Sequence, residues 1–239
     1  QLERLQNRFG VAVVTREPII PYRETIKSST TVRGRHKKQS GGHGQFGDCV
    51  LTIEPQERGK GFAFAEVVTG GAVPKNFFPA VEKGLRDCIK KGVLAGYPVV
   101  GLKATLVDGS YHPVDSSEMS FKMAAALAYK AGLQQASPVL LEPIGKLSVI
   151  VPDANTGDMM GELNKRRGRV LGMNPHEEGT SIIEAEVPMS EMHDFATYVR
   201  QLTQGSGTFT FEFERYEQLP NQLVAGVIEK AKALFSDDE

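Results

Sequence analysis

The order of elements between Pro143 and residue 216 constrains this chain more than any other feature. Stretches 146–151, 169–173, 181–187 and 208–216 carry the apolar and β-branched residues of strands, while 156–166 and 190–202 carry helical spacing. The order is β-α-β-β-α-β, the ferredoxin-like split motif, in which two helices cover one face of an antiparallel sheet. In the last stretch Phe209, Phe211 and Phe213 alternate with Thr210, Glu212 and Glu214. One face of the sheet is therefore expected to be buried and the other wet.

With 239 residues the chain exceeds the usual size of one domain. Ser137-Pro138-Val139-Leu140-Leu141-Glu142-Pro143 is the expected boundary, because two prolines interrupt the pattern. Upstream, residues 2–9 resemble a helix tail closed by Gly10, and 11–14 a strand; these are too little for a core, and there is no initial Met. The sequence is expected to open in mid-protein, with the rest of that domain elsewhere. Apolar residues nearly vanish between Ile26 and Gly47, which predicts a long exposed basic loop over 33–44. Strand-like runs follow at 49–54 and 62–68, then a helix after Pro79 with Val81, Leu85, Cys88 and Ile89 on one side, ended by Gly92. A β-rich run over 99–107 is expected to turn at Asp108-Gly109. Asp115-Ser116-Ser117-Glu118 resembles a capping box, opening a helix whose Met119, Met123, Ala126 and Leu127 are expected to face a core. After Pro220, the stripe Leu223, Val224, Val227, Ile228, Ala231 and Leu234 must dock on something, and is expected to fix the last domain against the one before it.

Composition leaves few kinds of chemistry open. Hydrophobic residues make up 40 % and charged residues 24 %, with net charge −1, so a nucleic-acid site has to come from a local cluster. Cys49 and Cys88 lie far apart with no C-x-x-C spacing, as in a reduced cytosolic chain, and offer neither a disulfide framework nor a zinc site. No run approaches the roughly 20 apolar residues that span a bilayer, and there is no signal-peptide core; a cytoplasmic protein is expected. Gly42-His43-Gly44-Gln45-Phe46-Gly47 fits G-x-G-x-x-G, yet a basic polar run precedes it and a strand-like run follows, the wrong context for a dinucleotide. No G-x-S-x-G elbow occurs, and the five histidines lack metal-ligand spacing. His112 and Asp115 suit either an acid–base pair, making the chain an independent enzyme on nucleic acid, or a local cap. Arg33, Arg35, Lys37 and Lys38 among small residues can follow phosphates, or simply form a solvated loop. Lys165-Arg166-Arg167-Gly168-Arg169 sits at a helix end, where cations already suit the dipole.

Longer strings are more specific. Pro21-Tyr22-Arg23-Glu24-Thr25-Ile26, His36-x-Lys38-Gln39-Ser40-Gly41-Gly42-x-Gly44-Gln45-Phe46-Gly47, Leu94-Ala95-Gly96-Tyr97-Pro98-Val99, Gly109-Ser110-Tyr111-His112-x-Val114-Asp115-Ser116-Ser117-Glu118 and Leu141-Glu142-Pro143-Ile144 resemble elongation factor G. Asn155-Thr156-Gly157-Asp158, Arg166-Arg167-Gly168 and Val187-Pro188-Met189-Ser190-Glu191-Met192 extend the resemblance, in order, over nearly the whole chain. It implies an α+β protein of two α/β-sandwich-type domains: 1–21 finishing the family's third domain, 22–143 its fourth, with the ribosomal protein S5 domain 2-like fold, and 144–216 its ferredoxin-like fifth, with 217–239 returning to the fourth. The resemblance also implies a monomeric ribosome-binding arm with no catalytic site or cofactor of its own. GTP and magnesium would belong to N-terminal domains of a ribosome-dependent GTPase. Its fourth domain would reach the small-subunit decoding centre, moving tRNA and mRNA, while the fifth would meet large-subunit RNA. The implied RNA-binding tip has one loop at Gln39, Ser40, Gly41, Gly42, His43, Gly44 and Gln45 and a second at Gly109, Ser110, Tyr111 and His112, flanked by Arg35, Lys37 and Lys38. His43 stands where the family usually has Arg, and Pro113 follows His112; both weaken assignment to the main translocase, leaving a paralogue in ribosome recycling or ribosome protection as the alternative.

Overall fold

The computed structural model describes residues 7–8, 17–57 and 59–236. Of the expected N-terminal helix tail only Asn7 and Arg8 are among these, and both are helical; the strand at 11–14 lies outside the described residues. Two compact units form, one from Tyr22–Glu142 with the C-terminal segment from Tyr216, the other containing Pro143–Arg215.

The first unit is built on a four-stranded sheet in the order β2 (Thr30–Lys38), β3 (Gln45–Pro55), β5 (Leu102–Ser110), β4 (Phe62–Glu66), with only the β4–β5 pair parallel. Helices α1 (Phe78–Cys88) and α2 (Glu118–Gln135) form the second layer. Leu51, Ile53, Leu102, Ala104 and Leu106 from the sheet meet Val81, Leu85, Phe121, Ala124, Ala125, Ala128 and Leu133 from the helices. Strand β1 (Arg23–Ile26) pairs with the first residues of β6 (Pro138–Pro152). The buried Glu24 carboxylate accepts hydrogen bonds from the backbone N–H groups of Leu94 (2.7 Å), Ala95 (3.2 Å) and Tyr97 (2.8 Å). Three amides of an irregular loop thereby find a partner that no ladder provides.

Several expectations give way to packing. The basic segment is mostly hairpin, not loop: Val32 and Gly34 point inward while Arg33, Arg35 and Lys37 point out. This period of two is hard to see because one inward position is a glycine. A methyl at Gly34 would collide with the Ala124 carbonyl, and one at Gly47 with the Ser120 carbonyl, so α2 lies directly on the hairpin backbone. Such an approach admits mainly small residues, which is why Ala124, Ala125 and Ala128 face the core beside Phe121. Met119, Met123 and Leu127 are left 60 %, 43 % and 48 % exposed, correcting the expected core stripe. The α2 cap is Ser117, whose Oγ accepts from Ser120 N at 3.2 Å, and not Asp115. Strand β5 passes through Asp108-Gly109 without turning; Gly109 pairs with Cys49, and a side chain there would strike the Asp48 carbonyl.

The second unit adds to β6 the elements α3 (Thr156–Lys165), β7 (Arg169–Pro175), β8 (Thr180–Pro188), α4 (Phe195–Leu202) and β9 (Thr208–Gln218), with strand order β9-β6-β8-β7. This is the ferredoxin-like arrangement. Leu147, Val149, Val151, Ile183, Ala185 and Val187 face Met159, Leu163, Phe195 and Val199. Phe209 and Phe211 pack against this core, whereas Phe213 is 54 % exposed. The expected helix 190–202 is divided into a 3-10 turn, Met189–Glu191, and α4, because Asp194 adopts φ 59° between them. Pro143 lies inside β6, between the residues paired with β1 and those paired with β8. The buried Arg166 donates to the carbonyls of Glu191 (2.7 Å) and His193 (2.8 Å), to Asp194 (2.9 Å) and to Glu162 (3.0 Å). Arg167 pairs with Glu191 and Arg169 with Glu186. Arg166 and Arg167 are thus an internal brace, while Lys165 and Arg169 lie at the surface.

The final helix, α5 (Asn221–Ser236), brings Leu223, Val224, Val227, Ile228 and the buried Ala231 against Tyr22, Leu94, Ala95, Tyr97, Leu140 and Leu219, all residues of the first unit. Each buried aliphatic side chain contributes roughly 1.5–3 kcal/mol, so truncation before Pro220 should lower the melting temperature of that unit by many degrees in a calorimetric scan. An unchanged thermogram would show that this helix docks without stabilising the sheet.

Candidate nucleic-acid interface

Both predicted loops occur at one end of the four-stranded sheet. The first, Gln39 to Gly44, joins β2 to β3, with Gln45 already in β3; of the second, Gly109 and Ser110 are the last residues of β5, and Tyr111 and His112 follow it toward α2. The pairing of Asp48 with Ser110 places their bases on neighbouring strands. Phe46 N donates to the Asp115 carbonyl at 2.9 Å, and Ser116 Oγ donates to the Phe46 carbonyl at 2.8 Å. Ser116 Oγ also accepts from His112 N at 2.8 Å. A methyl at Gly44 would stand 2.8 Å from the Asp115 carboxylate, so the loops touch there and a side chain at 44 would have to push the Asp115 side chain aside. At the outer end, Gly41 has φ +39° and open space around it, and a methyl at Gly42 would meet only the Ser40 carbonyl at 3.8 Å.

Beneath the tip is a buried ion cluster that the sequence did not mark. The Asp48 side chain is fully buried and receives Arg33 in a bidentate pair (2.7 and 2.8 Å), Arg35 at 3.3 Å and the Ser110 hydroxyl. Burial acts to raise the Asp48 pKa, but the hydrogen bonds from Arg33, Ser110 and Arg35 and the Arg33 charge outweigh it and hold the carboxyl below its ordinary range. The hydrogen bond to Asp48, followed by its charge, raises Arg33 in turn. Two of the four expected phosphate cations are therefore committed internally, although half of each side chain remains exposed. Arg35 also lies over the Phe46 ring, 5.9 Å from its centroid. The side chains of Lys37, Lys38 and His43 are exposed and have no ion-pair or hydrogen-bond partner among the described residues. His36 is engaged with Gln45 at 2.8 Å. Tyr111 is 46 % exposed beside His112.

His112 and Asp115 do not form an acid–base pair. Nδ1 of His112 accepts from the backbone N–H groups of Asp115 (3.0 Å) and Val114 (3.2 Å), while the Asp115 carboxylate is 3.6 Å away, beyond hydrogen-bond reach. The G-x-G-x-x-G string runs from the first loop into β3 and reaches no helix N-terminus. Cys49 is buried, which pushes its thiol up to about 12 and leaves it inert. Among the described residues no group of three or more His, Cys, Asp or Glu is placed to hold a metal ion, and no helix is long and apolar enough to cross a membrane.

Comparison with known proteins bears on this geometry. Residues 18–137 match the family model for elongation factor G, domain IV, and residues 139–226 that for the elongation factor G C-terminus. An elongation factor G-like protein from Thermotoga maritima is 48 % identical over 238 residues, taking in 100 % of this chain and 35 % of that protein. A crystal structure from Thermus thermophilus superposes with a TM-score of 0.83 at 43 % identity, covering 97 % of this chain and 34 % of the other. The chain thus spans about a third of the length of these relatives.

The Asp48 cluster yields a signed pH dependence. A carboxyl held below its ordinary value of 3.8 adds stability at higher pH, and that contribution is lost as pH falls through the depressed folded value. Asp48→Asn should cost about 1–3 kcal/mol in urea denaturation at neutral pH. The gap between parent and variant should narrow progressively as pH falls below about 4. A gap independent of pH would mean that the shape of the side chain matters there and its charge does not.

Proposed function

The chain belongs to the elongation factor G family, and we propose that it is the ribosome-binding arm of a translational GTPase that promotes movement of tRNA and mRNA. The observation that carries this reading is the two-loop tip: His112 and Tyr111 are displayed at the meeting point of two strands and a helix, strapped by Ser116 and Phe46 and flanked by the unpaired cations Lys37 and Lys38. A rigid tip with few charges suits contact with RNA by shape, where 2′-hydroxyls and base edges of any sequence can be met. Lys37, Lys38 and the exposed parts of Arg33 and Arg35 supply sequence-independent phosphate attraction. In this reading the tip enters the small-subunit decoding centre, the ferredoxin-like unit meets large-subunit RNA, and the parent works in the cytoplasm as a monomer. GTP and magnesium are handled by domains beyond the region matched here.

A second reading has its own observation. His43 takes the place of the family's usual Arg at the apex of the first loop, and Pro113 follows His112, so this tip carries less charge than that of the main translocase. A paralogue acting in ribosome recycling or ribosome protection would use the same scaffold with a changed apex. The independent-enzyme reading loses its basis, because the His112 nitrogen nearest Asp115 is already occupied by two amides.

Timing single-round tRNA movement with the full-length protein separates these readings. His112→Ala should leave folding and ribosome affinity intact and slow movement about tenfold, the value of one lost hydrogen bond of ~1.4 kcal/mol. Lys37→Ala should instead weaken ribosome binding and flatten its salt dependence. A full-length protein that splits ribosomes or displaces a bound drug, and moves no tRNA, would select the paralogue.

A further inference from the structure

We infer that Arg33 and Arg35 form a clamp for a single phosphate group of an RNA backbone, and that the buried Asp48 they share is the positioning residue that keeps the clamp in shape. The inference rests on the reading of the tip as an RNA-facing element and names the ligand of the sheet face just beneath it.

Arg33 and Arg35 occupy successive outward positions of β2, about 6–7 Å apart along the strand, yet both reach the same carboxylate. Arg33 commits one edge of its fork to it, Nε at 2.7 Å from Oδ1 and Nη2 at 2.8 Å from Oδ2. Arg35 commits only Nη2, at 3.3 Å. A guanidinium carries five N–H donors. Nη1 of each arginine and Nε of Arg35 therefore remain without a partner among the described residues. The arginine side chains are 50 % and 53 % exposed and that of Asp48 is wholly buried, so a ligand would meet the forks and not the carboxylate. Two guanidiniums drawn this close repel one another unless a counter-charge lies between them. One carboxylate offsets the repulsion and still leaves the cluster with a net positive charge. Asp48 is itself fixed from the side away from β2, by the Ser110 hydroxyl of β5. The Phe46 ring, 5.9 Å from the Arg35 guanidinium, restrains the plane of that fork. Planar forks with free edges match the paired oxygens of a phosphate, which a lysine meets only as a point charge. Such a contact positions RNA beside the tip without reading its sequence.

The test sets shape against charge, with the Kd of the full-length protein for ribosomes measured over a range of salt. Asp48→Asn makes the cluster more positive, so attraction alone would tighten binding; loss of the anchor should instead weaken it about tenfold. Arg35→Lys keeps the charge, and it spares the fold because Arg35 has only one long bond to Asp48. It should weaken binding by a similar factor at an unchanged salt slope, unlike Lys37→Ala, and it decides the matter should Asp48→Asn not fold. Parental or tighter binding by folded Asp48→Asn, or parental binding by Arg35→Lys, overturns the clamp and leaves general phosphate attraction standing. If Lys37→Ala and the double variant Arg33→Ala, Arg35→Ala also bind as the parent does, the RNA-facing reading of the tip falls too. In this chain, a short single-stranded RNA should move the nitrogen-15 NMR signals of the Arg33 and Arg35 Nε groups. Signals that answer to inorganic phosphate and not to RNA would mark a free-anion site and overturn the assignment to RNA, as would signals that answer to neither.

Discussion

Helix α2 meets the β2–β3 hairpin backbone to backbone, and the geometry of the tip follows from that contact. At Gly34 and Gly47 the hairpin presents only Cα atoms to the helix, and there is no room for a methyl. Close helix–sheet approach increases dispersion contacts on both sides, and it is possible because α2 presents Ser120, Ala124 and Ala128 at the points of contact. Because the second loop opens α2 and the first lies at the end of the same hairpin, fixing the helix on the hairpin fixes one loop on the other. Ser116 and the Phe46 backbone then need only short hydrogen bonds to complete the join.

Asp48 addresses a different problem on the other face of the sheet. Cations on successive outward positions of β2 repel one another, and a buried carboxylate opposite them turns the repulsion into a network of charge-assisted hydrogen bonds. Its partner Ser110 belongs to β5, so the same carboxylate reaches the strand that leads into the second loop. The sheet thereby keeps a cationic outer edge and gains a cross-strand clamp directly beneath the tip.

Much of this was legible in the sequence, for physical reasons that differ from place to place. The ferredoxin-like order was readable because its strands bury one face and keep clean apolar runs, as in Leu147, Val149 and Val151. The β2 strand was not, because its inward residues include Gly34 and its outward ones are Arg and Lys, which mimics a solvated loop. The α2 stripe was misread for a related reason: periodicity favours the large residues Met119, Met123 and Leu127, whereas the contact selects small ones. The Asp48 cluster depends on the β2–β3–β5 register, which no local pattern specifies. Six of the strings that carried the family resemblance prove to be spatial pairs. Residues 21–26 meet 94–99 through Glu24, 36–47 meet 109–118 through Ser116, and 166–168 meet 187–192 through Arg166. Each of these six is half of a hydrogen-bonded joint, which is why neither half explained itself alone.

The contact between Gly44 and Asp115 divides the first loop into two regimes of tolerance. A side chain at 44 would displace the Asp115 carboxylate and one at 41 would be strained by φ +39°, while residue 43 is exposed between them. Substitutions at 43 are therefore almost free of folding consequences, yet they sit at the apex that any partner meets first. A lineage could exchange the apex residue, charged for uncharged or aromatic, and so divert the whole arm to a new task without disturbing a single joint that holds the tip together.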